Sequence, residues 1–141
     1  MPVNGTEAAR LSLRGTVGAT MIAHGVKHAR SLKGTAGWFS SIGFRKPELQ
    51  AAASAAGAIG AGTALIAGAV TPLAGAAVVG TMAVAARSVH VRNGFFVTSE
   101  GYEYVLDLAA ASVALGALVP GVSASIVASD GSRGGPGFVV R

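Results

Sequence analysis

The chain has 141 residues, of which 51% are apolar and only 12% are charged, and its mean hydropathy is +0.57. It contains no cysteine, which excludes a disulfide framework, a CxxC redox pair and thiolate metal ligands. The formal net charge is +5, but the basic residues flank apolar segments, so contact with lipid headgroups explains them better than nucleic acid does.

The first predicted helix covers residues 8–30. Its uncharged interior, residues 15–26, is short for a membrane span and is bordered by Arg14 and Lys27. Both cations can extend toward opposite interfaces, which lengthens the usable stretch, and Arg14 has no obvious partner. Because the N-terminus is polar and no small-x-small cleavage site follows, we predict a retained span and not a cleaved signal peptide.

A connector, residues 31–47, follows the first helix and interleaves aromatic with basic side chains. Trp38, Phe39, Arg45 and Lys46 are typical of a segment in the headgroup region. We therefore predict that these four residues contact the membrane interface or a partner subunit.

The middle of the chain, residues 50–86, has no charged side chain. A span needs roughly 20 apolar residues to cross about 30 Å of hydrocarbon, so this run predicts two helices, 48–70 and 72–91, joined by a tight turn. Pro72 suits the first turn of the second helix, where no N–H is needed. The alternative, a buried helical hairpin in a soluble protein, leaves too few other residues to cover it.

A loop, 93–101, precedes a fourth predicted helix, 102–119, whose continuation to residue 127 is left open. Small residues recur in the spans, including Gly18, Gly62 and Gly75, and they allow close helix packing in lipid. The predicted fold class is an all-α integral membrane protein, a four-transmembrane-helix bundle. One domain covers residues 1–128, and a mobile glycine-rich tail covers 129–141. The charges do not determine the orientation in the membrane.

Two histidines lie four residues apart near the end of the first helix, with Lys27 beside them. His24 and His28 therefore share a helix face, a spacing that can bind a metal or haem. The other interpretation is a chance pair at the interface, since no HExxH or carboxylate-rich motif accompanies it. We predict no metal site, and His90 can approach the pair from the same side.

Two acids open the fourth helix. The helix dipole explains Glu103, whereas Asp107 lies one turn deeper, before an uncharged stretch. Acids inside a membrane are costly and usually pair or line a functional cavity. Arg87, His90 and Lys27 are its predicted partners, either as a structural ion pair or as a functional cluster.

Several motifs, in order, resemble those of the DoxX family, small bacterial membrane proteins of four helices. They comprise Arg14-x3-Gly18, His24-Gly25-x-Lys27, the glycines of the second span, Gly68-x2-Thr71-Pro72, Gly94-Phe95 and Gly101-x-Glu103-Tyr104. The resemblance covers about residues 10–122. Two departures stand out: the glutamate that relatives carry early in the second helix is replaced by the run 51–56, and the usual Gly-x-Ser-x-Asp-like ending is absent.

The resemblance implies a place in sulfur or oxidative-stress metabolism, because relatives include a subunit of thiosulfate:quinone oxidoreductase. From it we expect an accessory subunit of a redox complex in a bacterial plasma membrane, with quinone near His24, Lys27, Glu103 and Asp107. The alternative is a purely structural membrane anchor that docks a soluble or periplasmic partner through its loops and tail. Other subunits of a membrane complex are the expected partners, and a homo-oligomer is also open. A transporter is weaker, since no inverted repeat appears.

Overall fold

The computed structural model describes residues 4–119, and its regular structure in that range is entirely helical. The five α-helices are α1 (Gly5–Arg30), α2 (Leu32–Ser41), α3 (Pro47–Ala67), α4 (Thr71–Ala85) and α5 (Glu103–Ala117). A π-helix (Ala86–His90) and a 3₁₀ turn (Val91–Asn93) continue α4, and a second 3₁₀ turn (Val97–Ser99) lies in the loop before α5.

The predicted helices are found with small shifts at their ends, and the connector adds a helix that was not predicted. Its ten residues form α2, which packs chiefly on α3. The predicted extension to residue 127, the domain boundary at 128 and the tail 129–141 lie outside the described residues.

Local sequence signals explain where the helices begin and end. The Asn4 side chain accepts a hydrogen bond from the Glu7 N–H (2.8 Å) and caps α1. Pro47 occupies the first turn of α3, and Gly68 ends that helix with a φ of 73°. The turn to α4 is so short that Val70 also has a positive φ, 44°, which is strained for a β-branched residue. The short turn makes α3 and α4 antiparallel.

The four longer helices form a ring in which α1 contacts α3, α3 contacts α4, α4 contacts α5, and α5 contacts α1. Neighbours in this ring are antiparallel. We call one end the turn end, where α1 begins, residues 68–70 turn and α5 finishes. The opposite end, with α2, the π-helix and the loop 94–102, is the loop end. The buried core comprises Val17, Met21, Ala58, Leu65, Ala74, Val78, Met82, Val105, Leu108 and Leu115.

Glycines allow α1 and α3 to touch backbone to backbone. A Cβ on Gly18 would lie 2.7 Å from the Gly62 carbonyl oxygen, and one on Gly62 would lie 2.5 Å from that of Gly18. One heptad along, a Cβ on Gly25 would lie 2.8 Å from the Ala55 carbonyl oxygen. This contact, the glycine seam, is the close approach that drives helix association where apolar burial contributes little.

Two helical segments are long and apolar enough to cross a membrane, namely Pro47–Ala67 and Thr71–Asn93. Their apolar windows are only 28% and 22% buried, so most of their surface faces away from the rest of the chain. Within the described residues, α1 is long enough but not apolar enough for the same test, and α5, with 15 residues, is short.

Candidate functional sites

A histidine and a tyrosine meet where α1 faces α5. The rings of His24 and Tyr104 stack with centroids 5.9 Å apart, and the tyrosine hydroxyl lies 3.5 Å from the histidine Nε2. Both side chains are partly exposed on the outer surface. The pair offers hydrogen-bonding groups to a ligand that approaches from outside the ring of four helices.

The second histidine of the predicted pair faces a different helix. The His28 Nδ1 lies 2.8 Å from the Ser54 hydroxyl of α3, and its ring contacts the edge of Phe39. The two histidines therefore diverge toward α5 and α3, although they share one side of α1. The part of the chain that the structure describes contains no group of three or more His, Cys, Asp or Glu side chains that could hold a metal ion.

Two other predicted site residues serve the loop end. The His90 Nδ1 lies 2.6 Å from the Glu100 carbonyl oxygen, and a Glu103 carboxylate oxygen accepts a hydrogen bond from the Val97 N–H at 2.9 Å. Both contacts hold the loop 94–102 against the helices. The structure therefore does not bring His90 to His24 or His28 through any direct contact.

Asp107 is exposed on α5, three residues after Tyr104 and so on the same side of that helix. Within residues 4–119 its side-chain carboxylate forms no ion pair or hydrogen bond, and the expected pairing with Lys27, Arg87 or His90 is not observed. Geometry explains this for Lys27: α1 and α5 are antiparallel, so the His24–Tyr104 contact moves Lys27 and Asp107 to different levels.

The connector residues form an aromatic cluster at the loop end. Trp38, Phe39 and Phe44 lie in a row, with ring centroids 5.1 Å and 5.0 Å apart. Arg45 is exposed beside them, and Lys46, also exposed, precedes α3 with a φ of 53°. These residues present an aromatic and basic surface at the ends of both apolar segments.

Two arginines of α1 have a role that sequence reasoning missed. Arg14 donates from Nε to the Leu65 carbonyl (2.8 Å) and from a terminal nitrogen to the Ile66 carbonyl (2.7 Å), so it caps α3. Arg10 donates to the Leu118 carbonyl (2.8 and 3.1 Å) and so caps α5. The expectation that Arg14 has no partner is therefore wrong. The four-residue spacing of the arginines was the available signal.

Comparison with known proteins agrees with the motifs that precede residue 91, whereas Gly94-Phe95 and Gly101-x-Glu103-Tyr104 lie outside the matched range. The model of the DoxX family matches residues 9–91, more than half of the chain. No curated protein and no solved structure gives a significant match. The chain belongs to the DoxX family.

Proposed function

Because this chain is a member of a membrane-associated family, we propose that it is an accessory subunit of a redox complex in a bacterial plasma membrane. In this proposal α1 and α5 cross the bilayer together with α3 and α4, which makes four spans. Two of the charges on α1 favour it, because Arg10 and Arg14 are already bonded to helix-terminal carbonyls. Charged groups with such partners are the ones that membranes tolerate.

The observation that supports a redox role most is the His24–Tyr104 pair. A quinone is an apolar ring with two carbonyl oxygens, and it needs an apolar slot with one or two hydrogen-bond donors. The stacked pair supplies donors on the outer surface, where a quinone in the bilayer would meet them. Asp107, on the same side of α5 and without an ion pair in the described range, would accept or release a proton nearby. A bound quinone would supply the electron-accepting chemistry.

Quinone retention tests this proposal. We expect His24→Phe and Tyr104→Phe each to lower the amount of quinone that co-purifies with the gently solubilised protein, because each removes a hydrogen-bonding group from the pair. The matched control is Tyr102→Phe, since Tyr102 packs on Phe95 and not on His24. Equal quinone content in all four proteins would overturn the proposal. Asp107→Asn should keep assembly and lose quinone-linked activity.

A second candidate, a structural anchor, is favoured by the outer faces of α3 and α4. Ile66, Leu73 and Val84 are exposed there, with 47%, 69% and 54% of their surfaces accessible. Such faces fit lipid or neighbouring subunits. Native mass spectrometry with lipids retained separates the two: a stoichiometric partner with redox cofactors fits an accessory subunit. A partner without cofactors, released by trimming residues 132–141, fits an anchor.

A further inference from the structure

A pocket of about 400 Å³ lies at the loop end, apart from the His24–Tyr104 pair. One wall comes from the segment between α2 and α3, and the other comes from the π-helix and the 3₁₀ turn that follow α4. The side chains that matter for its chemistry are Ile42, Phe44, Arg45, Arg87, Ser88 and Arg92.

The pocket is strongly basic. Three of its lining residues are arginines, and no aspartate or glutamate of residues 4–119 lines it. Within residues 4–119, the guanidinium groups of Arg45 and Arg87 form no hydrogen bond or ion pair. Arg92 donates one bond, to the Ser88 carbonyl at 2.7 Å, and keeps further N–H groups for a ligand. Three guanidinium groups without a carboxylate favour an anion with several oxygens.

Arg87 and Arg92 reach the same pocket although they lie in two different irregular turns, the π-helix and the 3₁₀ turn that follows it. In a regular α-helix, residues five apart, such as Arg87 and Arg92, point about 140° away from each other. Here the Val91 N–H bonds to the Ala86 carbonyl, five residues back, which widens the turn. Arg92 lies in the narrower 3₁₀ turn, and its side chain reaches back to the Ser88 carbonyl of the π-helix, next to Arg87 in the chain.

The location indicates where the anion comes from. Both segments apolar enough to span a membrane have one end at this pocket, since α3 begins at Pro47 and the other segment ends at Asn93. Phosphate groups of lipids lie at that level of a bilayer, beside aromatic side chains such as those of the connector. The geometry points to a binding site for a phosphate group, held by Arg45, Arg87 and Arg92. Anionic lipid headgroups and free phosphate share this chemistry.

Native mass spectrometry of the full chain in detergent tests this site. Wild type would be titrated with phosphatidylglycerol, alone and with excess inorganic phosphate. We expect Arg87→Gln and Arg45→Gln each to weaken phosphatidylglycerol binding about tenfold, because each removes a charge-assisted contact. The control is Arg30→Gln, which removes the same charge from the same end of the molecule, outside the pocket. It should bind like wild type.

The outcomes separate the two sources of phosphate. Loss of lipid binding in both pocket variants, with no competition by inorganic phosphate, assigns the site to a lipid headgroup. Loss in both variants with displacement by inorganic phosphate assigns it to a free anion. If Arg87→Gln and Arg45→Gln bind phosphatidylglycerol as the Arg30→Gln control does, the site does not exist. Quinone retention is independent of all three outcomes.

Discussion

Arginine lies at both ends of the helical ring, but in opposite surroundings. At the turn end, Arg10 and Arg14 direct their N–H groups at the last carbonyls of α5 and α3. At the loop end, Arg45 and Arg87 border an open pocket, and their guanidinium groups form no hydrogen bond or ion pair with the described residues. The same side chain is part of the scaffold in one place and available to a ligand in the other.

The difference comes from how the helices end. Two helices of the ring, α3 and α5, finish at the turn end beside the start of α1, and their unpaired carbonyls carry partial negative charge. At the loop end α1 and α4 finish, but α1 is followed directly by α2, and α4 continues into a π-helix and a 3₁₀ turn, which bond internally. Few free carbonyls meet the arginines there. What a helix terminus offers therefore determines whether a nearby cation is satisfied.

The largest expected effect separates the two ends directly. Arg14→Gln should lower the free energy of unfolding by about 2–4 kcal/mol, because two charge-assisted bonds to the end of α3 are lost. The same substitution at Arg87 should change it by less than about 0.5 kcal/mol, as for an exposed residue without partners. Denaturant titration in mixed micelles, followed by circular dichroism, measures both. Equal losses of unfolding free energy in the two variants would show that the arginines at the turn end and the loop end do not differ in this way.

Gly68→Ala, also at the turn end, should lower the free energy of unfolding somewhat less, by about 1–3 kcal/mol, because alanine is strained at a φ of 73°. The added Cβ would also collide with the Arg14 guanidinium group. Gly60→Ala is the matched control, since nothing lies within 4 Å of a Cβ there, and it should be neutral or stabilising. Thermal unfolding in detergent compares the two. A control as unstable as Gly68→Ala would contradict this account.

At the loop end, Glu103→Ala should lower the free energy of unfolding by about 1 kcal/mol, because the Val97 N–H loses its acceptor. The effect should be local. Amide hydrogen exchange at Val97 should accelerate, while exchange in the core of α1 stays unchanged. Glu48→Ala, an exposed acid in the first turn of α3, should leave Val97 protected. Unaltered exchange at Val97 in the Glu103 variant would show that this bond does not hold the loop.

The smallest expected effect is an increase in stability. Val70→Gly should raise stability by up to about 1 kcal/mol, because glycine adopts the positive φ of this turn without strain. Val84→Gly, at a similarly exposed site inside α4 (54% exposed, against 63% for Val70), should instead destabilise by about 0.5 kcal/mol. The two variants differ only in backbone conformation, so a loss at both positions would argue against strain at the turn end.

Most of the fold was predictable because its signals are local. The uncharged run 50–86, Pro72 and the charges around 87–92 determine where α3 and α4 begin and end. The helix α2 was missed because it is only ten residues long and contains two glycines beside its aromatic residues, a composition that also suits an irregular connector. Its stability comes from packing on α3, which no local pattern reveals.

The site was harder, because contacts between distant helices decide it. The sequence indicated His24 and Glu103, but stacking on Tyr104 and the bond to Val97 depend on how α1, α5 and the loop meet. Asp107 was expected to pair with a cation, yet the antiparallel register places Lys27 at another level. The small residues of the glycine seam were predicted from the composition of the helices. Which of them meet across the seam is known only from the structure.

The arginine caps also constrain the order of assembly. Arg10 and Arg14 leave the ribosome early, whereas the carbonyls they bond belong to Leu65, Ile66 and Leu118, made much later. Until α3 arrives, Arg14 has no carbonyl to bond, and Arg10 reaches its partner only when α5 is complete. In the proposed four-span arrangement, the first helix therefore enters the membrane before Arg10 and Arg14 have carbonyl partners. A chain that stops before residue 118 should remain a preferred substrate of membrane quality control, because a desolvated guanidinium group persists.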